Sequence, residues 1–255
     1  MADQQLLDYT GKVVLVTGGS TGIGRATAIA FARQGAKVAI GNPTETGQET
    51  VEEIRKFGGQ AIFVQTDVSE AESVKALVKT TIDTYGKLDC AFNNAGILPP
   101  TVSLAEVDER DFDRVIGVDL KGVFLSMKYE IAEMLKTGGG AIVNTASVAG
   151  VIADPGMAAY VAAKHGVIGL TKAAALNYAT QGIRVNALAP GIVRTPMIER
   201  WLQDEAFKNN LLAGCPMHRA ADPEEIAGTV LFLCSSMASF TTGQVYLADG
   251  GQTAH

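Results

Sequence analysis

The sequence predicts an α/β fold in which helices flank both faces of a doubly wound, mainly parallel sheet. Short β-type runs alternate with helical patterns along the chain, and the early runs are almost continuously apolar, as expected for parallel strands covered on both faces. The 255 residues are 47% hydrophobic and 19% charged, enough apolar material for one sizeable core. Because no linker, repeat or low-complexity segment interrupts the pattern, we expect a single domain over residues 1–255.

Seven runs have the length and composition of strands. They are KVVLVT (12–17), AKVAI (36–40), AIFVQTDV (61–68), LDCAFNN (88–94), AIVNTAS (141–147), IRVNALAP (183–190) and QVYLAD (244–249). Helical patterns separate these runs, and strand–helix alternation of this kind builds βαβ units. The prediction is therefore about seven mainly parallel strands.

Several helix ends are predicted from capping residues. Ser69 and Glu72 fit a capping box, and Gly86 stands where that helix should end. Thr44 is the candidate cap of the helix that ends at a Gly-Gly pair. Asp222 is followed by proline and two glutamates, a pattern typical of a cap with proline at the first helical position.

The charge balance argues against two classes of partner. The formal net charge is −6 and no run is rich in Lys or Arg, whereas nucleic acids and anionic membranes attract basic surfaces. The first residues lack a basic region followed by an apolar stretch, so no signal peptide is predicted. No apolar run approaches the ~20 residues of a membrane span.

The cysteines and histidines form no recognisable metal or disulfide pattern. Cys90, Cys215 and Cys234 are odd in number and widely spaced, which suits a reducing cytoplasm. The histidines at 165, 218 and 255 are equally scattered, so no metal site is predicted. We therefore expect a cytoplasmic protein without a metal ion.

A glycine-rich turn follows the first strand, in TGGSTGIGRATAIAFARQG (17–35). Glycines 18, 22 and 24 allow the backbone to approach a pyrophosphate, and the N-terminus of the following helix offers free N–H groups and a positive dipole end. Such a turn alone can be a tight connection, but here a strand precedes it and a helix follows. The pattern predicts a Rossmann-like dinucleotide site that includes Gly18, Ser20, Gly22, Ile23 and Gly24.

A tyrosine and a lysine lie four residues apart in AAYVAAKH (158–165). On a helix such positions share one face, about 5–6 Å apart at Cβ, so Tyr160 and Lys164 project side by side. Alone, such a pair is compatible with a solvated helix face. A phenol has a pKa near 10, and a neighbouring cation lowers it, so the pair also suits general acid/base chemistry.

The glycine spacing G-x-x-x-G-x-G resembles the short-chain dehydrogenase/reductase family, whose motif is TGxxxGxG. The resemblance extends over nearly the whole chain. Its further motifs are NNAG (93–96), Asp67-Val68, Ser147 thirteen residues before Tyr160, YVAAK (160–164), PGIVRT (190–195) and DGG (249–251). Membership implies an NAD(P)-dependent oxidoreductase that transfers hydride between nicotinamide and a ketone or secondary alcohol.

The resemblance also implies a role for each catalytic side chain. Tyr160 is the general acid/base, Lys164 lowers the pKa of the phenol and holds the ribose hydroxyls, and Ser147 donates a hydrogen bond to the substrate oxygen. Cofactor contacts are implied for Asp67, Val68, Asn93, Ala95, Gly96, Tyr160, Lys164, Pro190, Gly191, Val193 and Thr195. Two alternatives remain open: a catalytically weak NAD(P)-binding regulatory protein, and a non-redox member of a related fold.

Two positions depart from the family pattern. Asp119 stands where Asn is usual; an anion there favours the ammonium form of Lys164 but opposes tyrosinate formation, so we predict an active enzyme with an altered pH optimum. Asp119 could instead only bond backbone nearby. Asn42 and Pro43 replace the acid that accepts the ribose 2′-OH of NAD. Arg25 could reach a 2′-phosphate, so the expected cofactor is NADP or NAD, with a lean to NADP.

The substrate region is expected in residues 196–220, whose apolar and charged residues suggest an amphipathic lid helix, with core packing as the alternative. Met197, Ile198, Trp201, Leu202 and Phe207 supply its apolar face. Ile97, Leu98 and Val148 could form the opposite wall of a mostly apolar pocket. The substrate is then a fairly hydrophobic carbonyl compound or alcohol. The apolar helix over 157–180 and the final segment FTTGQVYLADGGQ resemble the subunit interfaces of family members, which implies a homotetramer.

Overall fold

A computed structural model describes residues 7–254; residues 1–6 and His255, which belong to the predicted domain, lie outside the described residues. Its sheet contains seven strands in the order β3-β2-β1-β4-β5-β6-β7, and all six neighbouring pairs are parallel. The strands are β1 Val13–Thr17, β2 Lys37–Asn42, β3 Gln60–Gln65, β4 Cys90–Asn93, β5 Gly140–Thr145, β6 Ile183–Pro190 and β7 Val245–Ala248. The predicted α/β fold with seven strands is confirmed.

Helices connect the strands and cover both faces of the sheet. They are α1 Gly22–Arg33, α2 Gly47–Lys56, α3 Ala71–Tyr85, α4 Glu109–Val115, α5 Gly122–Met134, α6 Ala158–Tyr178, α7 Glu199–Gln203, α8 Glu205–Ala213 and α9 Pro223–Cys234. A π-helical segment, Ile116–Lys121, joins α4 to α5. The rest of the connections are loops and single 3₁₀ turns.

The alternation of side chains along β1 divides the core into two layers. Val14 and Val16 pack with Phe31 of α1 and with apolar residues of α2 and α9, whereas Leu15 packs on the opposite face with residues of α3, α5 and α6. Successive strand residues point to opposite faces, so a strand that is apolar at every position is buried on both. All five residues of β1 are buried, as the continuous apolar run predicts.

The strand order reverses direction at β1, where the chain crosses from β3 to the other side and continues with β4. In an open parallel sheet, the crevice at such a switch point lies outside the carboxyl ends of the strands and receives the ligand. The glycine-rich turn after β1 and the NNAG segment after β4 therefore meet at this crevice.

Two of the predicted helix ends are confirmed and two are wrong. Gly86 ends α3 with a φ of +83°, and Asp222 and Glu225 form a reciprocal capping box on α9. Ser69 does not cap α3, which begins at Ala71, because the carboxylate of Asp67 accepts hydrogen bonds from the Ser69 backbone N–H and hydroxyl (2.9 and 2.7 Å).

Thr44 does not cap α2 either. This helix begins at Gly47 and its N-cap is Thr46, while Thr44 accepts a hydrogen bond from the Asn42 carboxamide and pairs with the Thr46 hydroxyl. The side chain of Thr44 is therefore occupied at the end of β2 rather than at the helix terminus.

Within residues 7–254, no helix has the length and hydrophobicity that crossing a membrane requires. In the same part of the chain, no group of three or more His, Cys, Asp or Glu side chains is arranged to hold a metal ion.

Candidate active site

A cavity of about 440 Å³ opens at the carboxyl ends of the strands. That volume falls in the range of about 300–1,000 Å³ typical of ligand sites. Segments from the glycine-rich turn, from the ends of β2 to β6 and from the region after β6 contribute to its wall. Most of the predicted cofactor residues line it: Gly18, Ser20, Gly22, Ile23, Asn42, Asp67, Val68, Ala95, Gly96, Pro190, Gly191, Val193 and Thr195.

The glycine-rich turn leaves no room for side chains at two of its positions. Gly18 and Gly22 have φ of +65° and +51°; a Cβ on Gly18 would lie 2.9 Å from the Ala95 Cα, and one on Gly22 would lie 2.9 Å from the Thr195 Cγ2. No side chain caps the α1 N-terminus and its first turn holds no acid. The turn and the uncapped N-terminus of α1 form a cradle that fits the pyrophosphate of a dinucleotide.

Asn93 does not line the cavity, contrary to its predicted contact with the adenosine side. It is 1% exposed, and its carboxamide nitrogen donates to Glu130 and to Asn144, both at 3.0 Å. Asn94 lines the cavity instead, with its side-chain amide donating to the carbonyls of Thr17 and Gly18. The alternation of side chains at the end of β4 turns the first asparagine into the core and the second toward the turn.

Gly24 also lies outside the cavity wall. A Cβ at this position would lie 2.2 Å from the Gly18 carbonyl oxygen and 2.6 Å from the Asn94 amide nitrogen. Gly24 therefore allows the close approach of α1 to the turn, and it has no direct part in lining the ligand site.

Ser147, Tyr160 and Lys164 all line the same part of the cavity. Ser147 follows β5, Tyr160 is in the first turn of α6, and Lys164 is one turn further along that helix. The Lys164 Nζ lies 5.3 Å from the centre of the Tyr160 ring and donates to the Thr145 carbonyl at 3.0 Å. The shared helix face predicted from their spacing is what brings the ammonium to the phenol.

Asp119 forms a buried ion pair with Lys164. Its Oδ2 lies 3.2 Å from Nζ, and its Oδ1 accepts a hydrogen bond from the Ile97 N–H at 2.9 Å. The carboxyl is completely buried, and the residue lies in the π-helical segment, a kind of distortion frequent at functional sites. Asp119 therefore forms a hydrogen bond with the backbone, which is one of the two predicted alternatives, and it also forms an ion pair with Lys164.

The charges in this cluster shift the pKa values of its members. Burial is the largest single effect and lowers the pKa of Lys164, but the charge of Asp119, the charge of Tyr160 and the hydrogen bond to Asp119 together outweigh burial, so the pKa is raised and the ammonium form is favoured. Burial raises the pKa of the Tyr160 phenol; Lys164 lowers it and Asp119 raises it, with a net rise. Burial also raises the pKa of Asp119, against the lowering effect of Lys164.

Asn42, the last residue of β2, is an uncharged residue of the cavity wall. The Asn42 amide donates to Thr44 and Thr46, and its oxygen accepts from the Ser20 hydroxyl at 2.9 Å. Arg25 is paired with Glu53 at 2.5 Å and does not line the cavity. Across the described part of the chain, the charged residues in the cavity wall are Asp67, Asp119, Asp154 and Lys164.

The region predicted as a lid helix consists of a 3₁₀ turn, Pro196–Ile198, followed by the two short helices α7 and α8. Met197, Ile198 and Trp201 line the cavity, whereas Leu202 and Phe207 do not. The Phe207 ring packs against Trp201 with 5.6 Å between ring centres. Ile97, Leu98 and Val148, predicted to form the opposite wall, also line the cavity.

Sequence reasoning missed several residues of the wall: Asn94, Thr145, Asp154, Met157, Ile192, Leu211 and Gln252. Asn94 and Ile192 lie inside motifs that were recognised, so the motifs were a usable signal for both. Gln252 directly follows the DGG motif, for which the sequence predicts a subunit contact but no contact with a ligand. Asp154 and Met157 lie in a loop between β5 and α6 whose direction depends on tertiary packing.

Comparison with known proteins agrees with this geometry. A family model described as enoyl-(acyl carrier protein) reductase matches residues 18–253. Cyclohexanol dehydrogenase of Acinetobacter sp. (strain SE19) is 46% identical over 247 residues, which cover 96% of each chain. The 2,5-dichloro-2,5-cyclohexadiene-1,4-diol dehydrogenase of Sphingobium indicum (strain B90A) is 45% identical over 249 residues, covering 97% of this chain and 99% of the relative.

A solved structure shares the fold. A protein from Beutenbergia cavernae with bound NADP, described as an NAD(P)-dependent gluconate 5-dehydrogenase, superposes with a TM-score of 0.93 at 35% identity, covering 98% of this chain and all of that one. Family model, relatives and fold agree with the motifs that line the cavity. The chain therefore belongs to the short-chain dehydrogenase/reductase family and is an NAD(P)-dependent oxidoreductase that transfers hydride between an alcohol and a ketone.

Proposed function

We propose that the substrate is a secondary alcohol on a six-membered carbocycle, or the matching cyclic ketone. The observation that carries this proposal is the set of apolar side chains that line the cavity together with Tyr160, namely Ile97, Leu98, Val148, Met197 and Trp201. Such a wall suits a compact hydrophobic ring with one reacting oxygen. The ring alcohols named for the two relatives support the same substrate class.

In this proposal Tyr160 moves the proton and Ser147 orients the substrate oxygen. Bound nicotinamide supplies the hydride acceptor or donor. In oxidation, the tyrosinate oxygen of Tyr160 takes the hydroxyl proton; in reduction, the phenol returns a proton to the carbonyl oxygen. The Ser147 hydroxyl donates a hydrogen bond to that oxygen, and the Ala149 N–H donates to Ser147 at 3.1 Å, which fixes its position.

Lys164 has two roles in the same scheme. Its ammonium stabilises the tyrosinate form of Tyr160, and it has a donor left for the ribose hydroxyls after its bonds to Thr145 and Asp119. Asp119 keeps Lys164 charged at the expense of a higher pKa for Tyr160. The expected consequence is activity with an alkaline-shifted optimum for oxidation.

We infer that the cofactor site accepts NADP as well as NAD. Position 42 holds asparagine, so no carboxylate is present there to repel a 2′-phosphate. Arg25, the cation expected to favour NADP, is instead paired with Glu53. A neutral subsite of Asn42 and hydroxyl groups favours neither form strongly. Fluorescence titration with NADH and NADPH should give dissociation constants within about tenfold, or ~1.4 kcal/mol; a larger ratio in either direction contradicts this inference.

We further propose that the chain is one domain with residues 196–220 acting as a lid, that it works in the cytoplasm, and that it assembles as a homotetramer able to act as a carbonyl reductase. The three cysteines are free and buried thiols, which fits a reducing compartment. Apolar side chains exposed on α6 and near β7 support assembly.

The test of function is turnover of a substrate panel. With NAD or NADP, cyclohexanol should be oxidised with a higher kcat/KM than a linear secondary alcohol of equal carbon number, and cyclohexanone should be reduced by the reduced cofactor. Trp201→Ala should raise KM for the ring substrate without changing the Kd of the cofactor. Cofactor binding without turnover of any panel member would instead favour a regulatory protein.

A further inference from the structure

The carboxamide of Gln252 is a polar group in the cavity wall that the proposed mechanism does not use. Gln252 lies near the end of the described chain, lines the cavity, and its side-chain oxygen is buried without a hydrogen-bond partner among residues 7–254. Buried polar atoms of native proteins are nearly always hydrogen-bonded. Because Gln252 forms part of the cavity wall, a ligand group in the cavity is the candidate partner for its carboxamide.

The position of Gln252 is set by a turn that does not depend on its side chain. The Asp249 carboxylate accepts hydrogen bonds from the N–H groups of Gly251 and Thr253 and from the Thr253 hydroxyl, at 3.0, 2.9 and 2.6 Å. The Gln252 N–H donates to the Asp249 carbonyl at 3.2 Å. The carboxamide is thus presented from a pre-organised backbone, which suits recognition of a ligand group.

The turn is also held against the segment that follows β6. A Cβ on Gly191 would lie 2.8 Å from the Asp249 Cα, so the two backbones are in close contact. Gly191 and Ile192 line the cavity together with Gln252 and with Trp201 and Leu211 of the lid region. Gln252 is therefore a polar residue in a cavity wall to which Ile192, Trp201 and Leu211 contribute apolar side chains.

We propose that Gln252 determines specificity by binding a second hydroxyl group on the ring substrate, away from the carbon that reacts at Tyr160. The inference rests on the proposed function, because it assumes a cyclic alcohol in this cavity. A hydroxyl can donate a hydrogen bond to the carboxamide oxygen, which is the atom that lacks a partner among the described residues.

The charges of the cavity select a hydroxyl over a carboxylate as that second group. Of the charged side chains in the described wall, three are aspartates, and the single cation, Lys164, is already engaged by Asp119 and Thr145. A substrate carboxylate would meet these aspartates without a free cation to pair with. The preferred substrate is thus a neutral cyclic diol or hydroxy-ketone.

The test compares kcat/KM for cyclohexanol with kcat/KM for cyclohexane-1,3-diol and cyclohexane-1,4-diol, in the wild type, Gln252→Met and Gln252→Glu. Methionine matches glutamine in length but offers no hydrogen-bonding amide, whereas glutamate keeps an acceptor oxygen. Gln181→Met is the matched control, since Gln181 is exposed and bonds only the Asn177 carbonyl. Cofactor titration of each variant reports whether its site is intact.

We expect the wild type to prefer at least one diol over cyclohexanol. Gln252→Met should lower kcat/KM for that diol about tenfold more than it lowers kcat/KM for cyclohexanol, the value of one hydrogen bond; Gln252→Glu should retain most of the preference for the diol. Equal effects of Gln252→Met on diol and cyclohexanol, or no diol preference in the wild type, would overturn the role of Gln252. Failure of the wild type on cyclohexanol and both diols would instead overturn the proposed substrate class.

Discussion

At the residue scale, the substitution of Asn by Asp at position 119 changes the charge of the catalytic cluster. The Asp119 carboxylate lies 3.2 Å from the Lys164 ammonium and is wholly buried with it. Each of these two charges acts on the Tyr160 phenol, the ammonium lowering its pKa and the carboxylate raising it. The protein therefore keeps its lysine protonated at the expense of a less acidic tyrosine.

The first prediction concerns Asp119→Asn. Removing the carboxylate removes one cause of the raised pKa of Tyr160, and oxidation requires the deprotonated phenol, so the rise of kcat/KM with pH should move to lower pH. The measurement is kcat/KM for alcohol oxidation from about pH 6 to pH 10, which spans the approach to the ordinary pKa of a phenol. Asp113→Asn, an exposed aspartate before the same π-helical segment, is the control; an identical profile in Asp119→Asn and wild type would contradict the electrostatic role.

Residue spacing in the sequence predicts the relative positions of side chains on one helix or strand. It does not predict where a side chain points in a loop or at the end of a strand. Tyr160 and Lys164 were predictable because a helix places i and i+4 together. Asn93 was misassigned because two adjacent asparagines end β4 and point to opposite sides. Gln252 was missed because the turn after β7 is set by Asp249, not by periodicity.

At the element scale, α5 packs a carboxyl into the core against β4 and β5. Glu130 is fully buried; its Oε2 accepts from Asn93, while its Oε1 and the Asn93 Oδ1 have no partner among the described residues. Burial raises the pKa of Glu130 to about 7, against the lowering effect of the Asn93 hydrogen bond. A proton on Glu130 would supply one missing donor to this network.

The second prediction is that this carboxyl makes stability fall as pH rises. The pKa of Glu130 is about 7 in the folded protein, compared with an ordinary value of 4.5. The contribution of Glu130 to the free energy of unfolding is therefore fully present below about pH 4.5 and is lost as the pH rises through 7. The loss is on the order of 3 kcal/mol. Glu130→Gln removes this titration. Between about pH 5 and pH 8, the free energy of unfolding of the variant should therefore rise relative to that of the wild type by roughly that amount.

Urea unfolding at fixed protein concentration measures the difference. Glu133→Gln is the control, because Glu133 lies one turn further along α5 and pairs with Lys136 at the surface. If the difference in free energy of unfolding between Glu130→Gln and the wild type stays constant over this pH range, the pKa of Glu130 is not raised in the folded protein.

The elements themselves were largely predictable, because continuous apolar runs and glycine stops have local causes. β6 matches its predicted bounds, and α9 has the predicted cap. Ser69 does not cap α3 because its N–H and hydroxyl both donate hydrogen bonds to the Asp67 carboxylate, two residues earlier. The spacing of Ser69 and Glu72 alone does not reveal this interaction. The region predicted as a lid helix is divided into α7 and α8 because Asp204 caps a new helix, accepting a hydrogen bond from the Phe207 N–H at 3.0 Å.

At the scale of the whole molecule, several large apolar side chains of α6 and of the segment around β7 are exposed to solvent. Leu176 of α6 is 84% exposed and Phe240, which precedes β7, is fully exposed; Met237 and Leu247 of the same region are about half exposed. Soluble monomers rarely expose such groups together. This supports the proposal that α6 and the segment around β7 form contacts between copies of the chain.

The third prediction is that a charge in this region weakens assembly. The wild type should have the mass of four chains by sedimentation equilibrium, and Leu176→Asp together with Phe240→Asp should shift the population to dimers or monomers at micromolar concentration, because burying an unpaired charge is costly. Phe57→Asp serves as the control, as Phe57 is 42% exposed at the end of α2. A wild type that sediments as a monomer would contradict the proposal directly.

The central claim is that Tyr160 transfers the proton while hydride passes between nicotinamide and a ring alcohol. The most direct test is kcat/KM for cyclohexanol in the wild type and Tyr160→Phe, measured alongside the Kd of each cofactor. Loss of general acid/base catalysis should lower kcat/KM by about 10²- to 10⁴-fold with the Kd unchanged, since phenylalanine keeps the ring. Turnover by Tyr160→Phe within a few-fold of the wild type would contradict the account.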